Sequence, residues 1–174
     1  ALDVACGTGR HALLLQARGW MRRFGFDLSQ QMLLQAKASG GYQGLALADL
    51  RAIPCHPVEL VVCSLAIGHL DRLDPVLDSL CGLVRRQGDL VLTDLHPLLA
   101  STRHFQRAFR GADGRNHQLP HTVHPLKRVI AGLKRRGLTP QLITEPAPER
   151  SLPHEPVLPQ LPLVWALRAR RLGD

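Results

Sequence analysis

The residues of this sequence best suited to chemistry sit where short apolar runs end. Leu2-Asp3-Val4-Ala5-Cys6-Gly7-Thr8-Gly9-Arg10 reads as a strand, a glycine turn and the start of a helix. Gly7 and Gly9 let the backbone approach a ligand closely, and the N–H groups opening the next helix have no intrahelical acceptor. Gly7 to Ala12 fits G-x-G-x-x-A, which dinucleotide sites share with other adenosine sites, so the turn alone does not choose between them. Asp27 closes the run FGFD, where a carboxylate can accept hydrogen bonds from both hydroxyls of a ribose. Its competing role as a helix N-cap is already filled by Ser29. Asp49, in Ala48-Asp49-Leu50, is placed to take an exocyclic amine while a neighbouring N–H meets a ring nitrogen; its competing role is that of a turn residue.

Two histidines, His69 and His96, follow the fourth and fifth strand-like runs and are candidate general bases, because imidazole titrates near neutrality. A packed or hydrogen-bonded strand-end histidine is the competing role for each. His117, His121 and His124 (HQLPHTVH) raise the question of a metal. Pro120 prevents a helix from placing the first two on one face, and no carboxylate accompanies them at zinc-site spacing, so no metal is assigned. A polar lid near an acceptor pocket, with His121 or His124 touching substrate, suits them better. Cys6, Cys55, Cys63 and Cys81 form no CxxC pair and read as free buried thiols of a reducing, cytoplasmic compartment.

Strand and helix signals alternate to position these groups. Strands are expected at residues 1–5, 21–26, 43–48, 58–64, 89–95, 138–145 and 161–167. A helix from about 9 to 18 follows the first. The second begins after the Ser29 cap and ends at Gly40-Gly41. Asp74 and Pro75 predict a third, with Asp74 as cap, Arg85 and Arg86 in its last turn and Gly88 as its stop. Leu126, Val129, Ile130 and Leu133 share one face of a fourth, stopped by Gly137. Residues 98–123 read as an insertion over the sheet edge, and the prolines from Pro146 to Pro159 exclude helix and ladder alike. This alternation predicts a mainly parallel sheet with helices on both faces, and ligands there bind beyond the carboxyl ends of the strands.

Taken together, LDVACGTGR (2–10), FGFDLSQQML (24–33), LADLRAIP (47–54), VVCSLAIGHL (61–70) and GDLVLTDLHP (88–97) resemble the class I S-adenosylmethionine-dependent methyltransferase superfamily, most closely its quinone and secondary-metabolite branch. The resemblance covers essentially the whole chain. It implies a Rossmann-like, doubly wound, seven-stranded α/β sheet of order 3-2-1-4-5-7-6 with the last strand antiparallel. It also implies S-adenosylmethionine as cofactor and S-adenosylhomocysteine as product. Ala5, Cys6, Gly7, Thr8 and Gly9 would then lie along the methionine part, with Asp3 beneath reaching the amino group indirectly. Asp27 would hold the ribose, Leu28 and Met32 would flank the adenine, and Asp49 and the Leu50 backbone would meet its edge. Ser64, Leu65 and Ala66 would border the sulfonium. Two departures stand out: Ala5 occupies the first glycine position of the family's turn, and Glu59 stands where an aspartate usually opens the fourth strand. Residues 1–174 are expected to form one domain that starts inside its first strand, short of the upstream helices that usually cover the cofactor.

Composition narrows the acceptor. The chain carries a net charge of +8, but its basic residues fall in separate clusters at 22–23, 85–86, 134–136 and 168–171. Two of these clusters are expected in last helical turns, where cations oppose the helix dipole. Four Phe, two Trp and one Tyr supply little for stacking bases, which argues against nucleic acid and for a small-molecule acceptor. No apolar run reaches the length of a membrane span. Two rivals share the glycine turn. A nicotinamide-dependent reductase lacks support from Asp49 and from any Tyr-x-x-x-Lys pair, Tyr42 being the one tyrosine. A degenerate, non-catalytic binding subunit is the other. Oligomeric state is not encoded in any of these features.

Overall fold

A computed structural model describes residues 1–100, 108–111, 114–118, 120–146 and 162–173. The first half alternates β1 (Leu2–Val4), α1 (Ala12–Ala17), β2 (Phe24–Asp27), α2 (Gln30–Ala38), β3 (Gly44–Leu47) and β4 (Val58–Ser64). A 3-10 turn (Ile67–His69), α3 (Leu73–Gly82), β5 (Val84–Leu95) and α4 (Pro97–Ala100) follow. The remainder holds β6 (Ala108–Arg110), β7 (Asn116–Gln118), α5 (Leu126–Arg135), β8 (Leu138–Thr144) and β9 (Val164–Arg171).

Seven strands form one sheet in the order β3-β2-β1-β4-β5-β9-β8, while β6 and β7 pair separately. Neighbours from β3 to β5 run parallel, and β9 lies antiparallel between β5 and β8. Counting sheet strands alone, this is the expected 3-2-1-4-5-7-6 with the last strand reversed. The chain order turns back at β1, between β2 and β4, so the carboxyl ends of these strands border the crevice where such sheets bind ligands.

Parallel strands must be covered on both faces. On one, Leu77 and Leu80 of α3 and Val129 and Leu133 of α5 belong to the same buried cluster as Val61, Leu90, Leu92, Trp165 and Leu167 of the sheet. A Cβ on Gly132 would stand 2.4 Å from Leu77 Cδ1, so α5 rides as close to α3 as glycine permits. On the other face Leu15 of α1 packs with Leu60 and Val62.

The third helix and fifth strand depart from expectation. Helix α3 ends at Gly82, and Arg85 and Arg86 lie in β5 rather than in a last helical turn. Val84 already pairs with Val58, and β5 then bulges until Asp89 pairs with Leu60. Gly88 serves that bulge instead of stopping a helix: a Cβ there would meet Arg85 O at 2.9 Å and the Val58 and Glu59 carbonyls at 3.0 Å. Asp74 is not the cap either. Arg72 holds that position without a side-chain bond, and the Asp74 carboxylate takes Arg136 Nη2 at 3.1 Å. The seventh sheet strand runs over Val164–Arg171, later than expected. The proline-rich residues 147–161 and much of the expected insertion lie outside the described residues.

Candidate active site

The ends of β1 to β4 open onto one cavity of about 560 Å³, within the range of small-molecule sites. Its first wall is the turn after β1. Cys6 N donates to Phe26 O at 2.9 Å and Gly9 N to Cys6 O at 3.0 Å. The turn runs through left-handed backbone at Ala5 (φ 56°), Gly7 (φ 54°) and Gly9 (φ 85°). Ala5 adopts this conformation despite its Cβ, which is unusual outside glycine and asparagine.

The end of β2 is tied to that turn. Asp27 accepts the Gly7 N–H on Oδ2 and the Ser29 N–H on Oδ1, each at 2.8 Å. Each carboxylate oxygen keeps a further lone-pair direction for a ligand hydroxyl. Ser29 in turn caps α2 by accepting the Met32 N–H at 3.3 Å. Leu28 and Met32 also line the cavity and are 68% and 41% exposed, leaving apolar surface for a flat ring to cover.

Beyond β3, Asp49 is gripped by Arg51, whose Nη2 lies 2.5 Å from Oδ2 and whose Nε lies 2.9 Å from Oδ1. These hydrogen bonds, with the Arg51 backbone N–H, hold the carboxyl at about 2, so Asp49 is ionised at neutral pH. Ala48 and Leu50 complete this end.

The β4 side is built from Ser64, Leu65 and Ala66, followed by His69 and Leu70. Leu65 also holds left-handed backbone (φ 55°), and its N–H donates to Thr93 O at 2.9 Å. The 3-10 turn behind it is fastened from two directions. The buried Asp94 accepts the Gly68 N–H at 2.7 Å, and Thr122 N donates to Gly68 O at 2.7 Å. His124, also buried, donates from Nε2 to Leu70 O at 2.8 Å, since a carbonyl can only accept.

Beneath the turn lies Asp3, fully buried. Its Oδ2 accepts the Tyr42 hydroxyl and stands 3.5 Å from His11 Nδ1, whereas Oδ1 is buried with no partner among the described residues. An orphaned carboxylate oxygen is rare in a folded interior and points to a donor supplied by a ligand or water. Burial and the Asp3 charge together push the Tyr42 hydroxyl far up, keeping it a donor. Burial likewise raises the Cys6 thiol to about 12, so this cavity-lining cysteine is not a thiolate nucleophile. Cys63 and Cys81 are buried as expected, but Cys55 is exposed.

The structure thus places Ala5, Cys6, Gly7, Thr8, Asp27, Leu28, Met32, Asp49, Leu50, Ser64, Leu65, Ala66 and His69 around one cavity. Asp3 and Gly9 support the turn from behind. His96 stands apart from this wall. Its Nδ1 accepts the Leu98 N–H at 3.2 Å, which leaves Nε2 to donate to Glu145 Oε1 at 3.1 Å. Both nitrogens are spent on structure. Cavity residues that sequence reasoning did not assign to binding include Arg10, His11 and Arg51. His11 and Arg51 each follow a flagged residue, Gly9 and Asp49, by two positions; the signal was proximity to a strand end rather than a motif.

The residues present fit a nucleoside with a charged tail: carboxylates at two strand ends, exposed apolar flanks between them and an orphaned buried acid below the turn. The profile of the family described as Methyltransferase domain matches residues 2–92, just over half of the 174-residue chain. An uncharacterized protein of Haemophilus influenzae is 27% identical over 116 residues, 61% of this chain and 46% of that protein. Human methyltransferase-like protein 27 is 51% identical over 53 residues, 30% of this chain and 22% of that protein. The matched segments therefore span less than half the length of these relatives. Among solved structures, an S-adenosylmethionine-dependent methyltransferase from Mesorhizobium loti superposes with a TM-score of 0.74 at 21% identity, covering 98% of this chain and 90% of that one. Magnesium protoporphyrin IX methyltransferase from Synechocystis, with bound SAH, superposes with a TM-score of 0.70 at 18% identity, covering 98% and 73%.

Proposed function

Because the chain belongs to the methyltransferase-domain family, we propose that it transfers the methyl group of S-adenosylmethionine to a small organic acceptor. One observation carries this reading: Asp27, Asp49 and the Ala5–Gly7 backbone face a single cavity whose far wall is the end of β4. In this reading Asp27 holds the ribose, Asp49 and the Leu50 N–H meet the adenine edge, Leu28 and Met32 cover its faces, and residues 64–66 border the reacting centre.

The cofactor supplies an already activated methyl carbon, so the chain's task is alignment and exclusion of water. Leu65 and Ala66 present an apolar wall there, and Ser64 is fixed by a 2.7 Å hydrogen bond to Thr93. His69, at the rim of the same cavity, is the base for an acceptor hydroxyl; His96 is not used.

Small-molecule specificity is supported by what the basic residues do. Arg23 is buried and donates to the Gly41 and Trp20 carbonyls at 2.7 and 2.6 Å. Arg136 bonds Asp78 at 2.7 Å, Arg168 bonds Asp89 at 2.9 Å, and Arg171 donates to the Val84 and Cys81 carbonyls at 2.9 and 2.7 Å. At least one residue of each basic cluster, Arg85 with its partner Glu59 included, has a structural task, unlike a stripe reserved for phosphates. No described helix is long and apolar enough to cross a membrane. The unpaired cysteines support a reducing, cytoplasmic setting.

Calorimetric titration tests the reading. S-adenosylhomocysteine is expected to bind at one site and to outcompete any nicotinamide dinucleotide. Preference for the dinucleotide rejects the assignment, and tight RNA binding that weakens steeply with salt rejects the small-molecule acceptor.

A further inference from the structure

We propose that Arg51 is a displaceable latch on Asp49: its guanidinium occupies the carboxylate on which an adenine amine would bind, and the ligand must lift it off. The inference rests on the methyltransferase reading above. An ionised carboxylate offers about four lone-pair directions, and in Asp49 one residue fills them all. Oδ1 accepts the Arg51 backbone N–H at 2.8 Å and Nε at 2.9 Å, while Oδ2 accepts Nε at 3.2 Å and Nη2 at 2.5 Å. Asp27, the other strand-end carboxylate of the cavity, accepts a single backbone N–H on each oxygen and keeps a direction free on both. Asp27 is open to a ligand hydroxyl, whereas Asp49 is closed to an amine.

An amine that approaches Asp49 therefore has to displace a donor. The backbone N–H belongs to the local turn and stays, so the guanidinium is the part that leaves. Both side chains line the cavity, and those of Arg51 and Asp49 are 56% and 32% exposed. An ion pair this open to solvent contributes little net stability, so displacing it costs the ligand no more than about fivefold in affinity. The released guanidinium still has a carboxylate to face, because the charge of the exposed Asp71 also acts on it. With the fork gone, Oδ2 regains both of its directions and Oδ1 regains one.

Two ligands that differ only at the base separate a latch from an arginine that merely shapes or charges the cavity. S-adenosylhomocysteine carries the 6-amino group; its purine analogue has hydrogen there and asks nothing of Asp49. In calorimetric titrations at low salt, Arg51→Met should tighten S-adenosylhomocysteine about two- to fivefold and leave the analogue as in wild type. Arg51→Lys, which keeps the charge but loses the planar fork, should fall between the two for S-adenosylhomocysteine. The gain from Arg51→Met should shrink at about 1 M salt, which screens the exposed pair in the wild type. Unchanged or weaker S-adenosylhomocysteine binding in Arg51→Met, or an equal gain for both ligands, overturns the latch. If neither the wild type nor Arg51→Met binds either ligand, the methyltransferase reading itself is overturned.

Discussion

The Oδ2 atom of Asp27 accepts the amide hydrogen of Gly7 at 2.8 Å, joining the end of β2 to the turn that follows β1. One carboxylate therefore shapes the turn and, in the proposed reading, also holds the ribose. Asp27→Ala removes both functions. It should weaken S-adenosylhomocysteine by about 1–3 kcal/mol, the usual cost of losing a charge-assisted partner. Asp27→Asn keeps an oxygen for one of the two backbone amides but sets an NH2 group against the other, so its affinity should lie between wild type and alanine. Calorimetry reads the order directly. An asparagine variant as tight as wild type would show that the charge is irrelevant to binding.

The backbone of Ala5 gives a second prediction, this time of a gain. Ala5 sits at φ 56°, where a Cβ costs roughly 1–2 kcal/mol. Part of that is returned when glycine raises the entropy of the unfolded chain. Ala5→Gly should thus stabilise the fold by about 1 kcal/mol, or raise the melting temperature by about 2–4 °C for a chain of this size. Thermal unfolding checks it, and a lower melting temperature contradicts the strain argument.

The strand-end carboxylates also show how the sequence could be read. Asp27 and Asp49 were legible as residues of the cavity wall because each follows a strand-like run, although a turn role competed for Asp49. The alternation of elements predicted a mainly parallel sheet, and its strand order followed from the family resemblance. What stayed hidden depended on contacts far apart in sequence. Arg85 and Arg86 look like a helix terminus until Val84 is seen pairing with Val58 and Gly88 with carbonyl oxygens around it. His96 looks like a free base until Glu145 arrives from the end of β8.

The Asp49–Arg51 pair predicts a pH dependence. Arg51 depresses the Asp49 carboxyl to about 2, so the native state favours the ionised form. The resulting stabilisation is fully present above the ordinary carboxylate value near ~3.9 and is lost as pH falls through the depressed one. Arg51→Met should return the midpoint toward ~3.9. Carbon-detected NMR of the side-chain carboxyl is the measurement. The wild-type signal should remain that of the ionised form from pH 7 to pH 4, whereas the variant should be well into its titration at pH 4. Coincident curves would mean that the guanidinium does not hold the carboxylate in solution.

Gly68 and His121 give a prediction that tests the acceptor-side wall without requiring the acceptor. A Cβ at Gly68 would lie 1.9 Å from His121 Cε1, far inside van der Waals contact, so Gly68→Ala forces the imidazole to move. The turn cannot yield freely, because Gly68 N is held by Asp94 and Gly68 O by Thr122 N, each at 2.7 Å. His121 is only half-buried and its ring can swing aside, so the cost should not exceed that of core overpacking, about 1–3 kcal/mol. His121→Ala removes the obstructing ring, so the double variant should lose less stability than the sum of the two single losses, by at least about 0.5 kcal/mol. S-adenosylhomocysteine affinity should change by no more than about twofold in Gly68→Ala, since neither Gly68 nor His121 lines the cavity that the neighbouring Ala66, His69 and Leu70 border, and sites that share no partner usually act independently. Urea unfolding of the four proteins, with calorimetry on the glycine variant, gives both readings. Additive losses would separate His121 from Gly68, and a large loss of affinity would make this turn part of the cofactor site rather than a wall beside it.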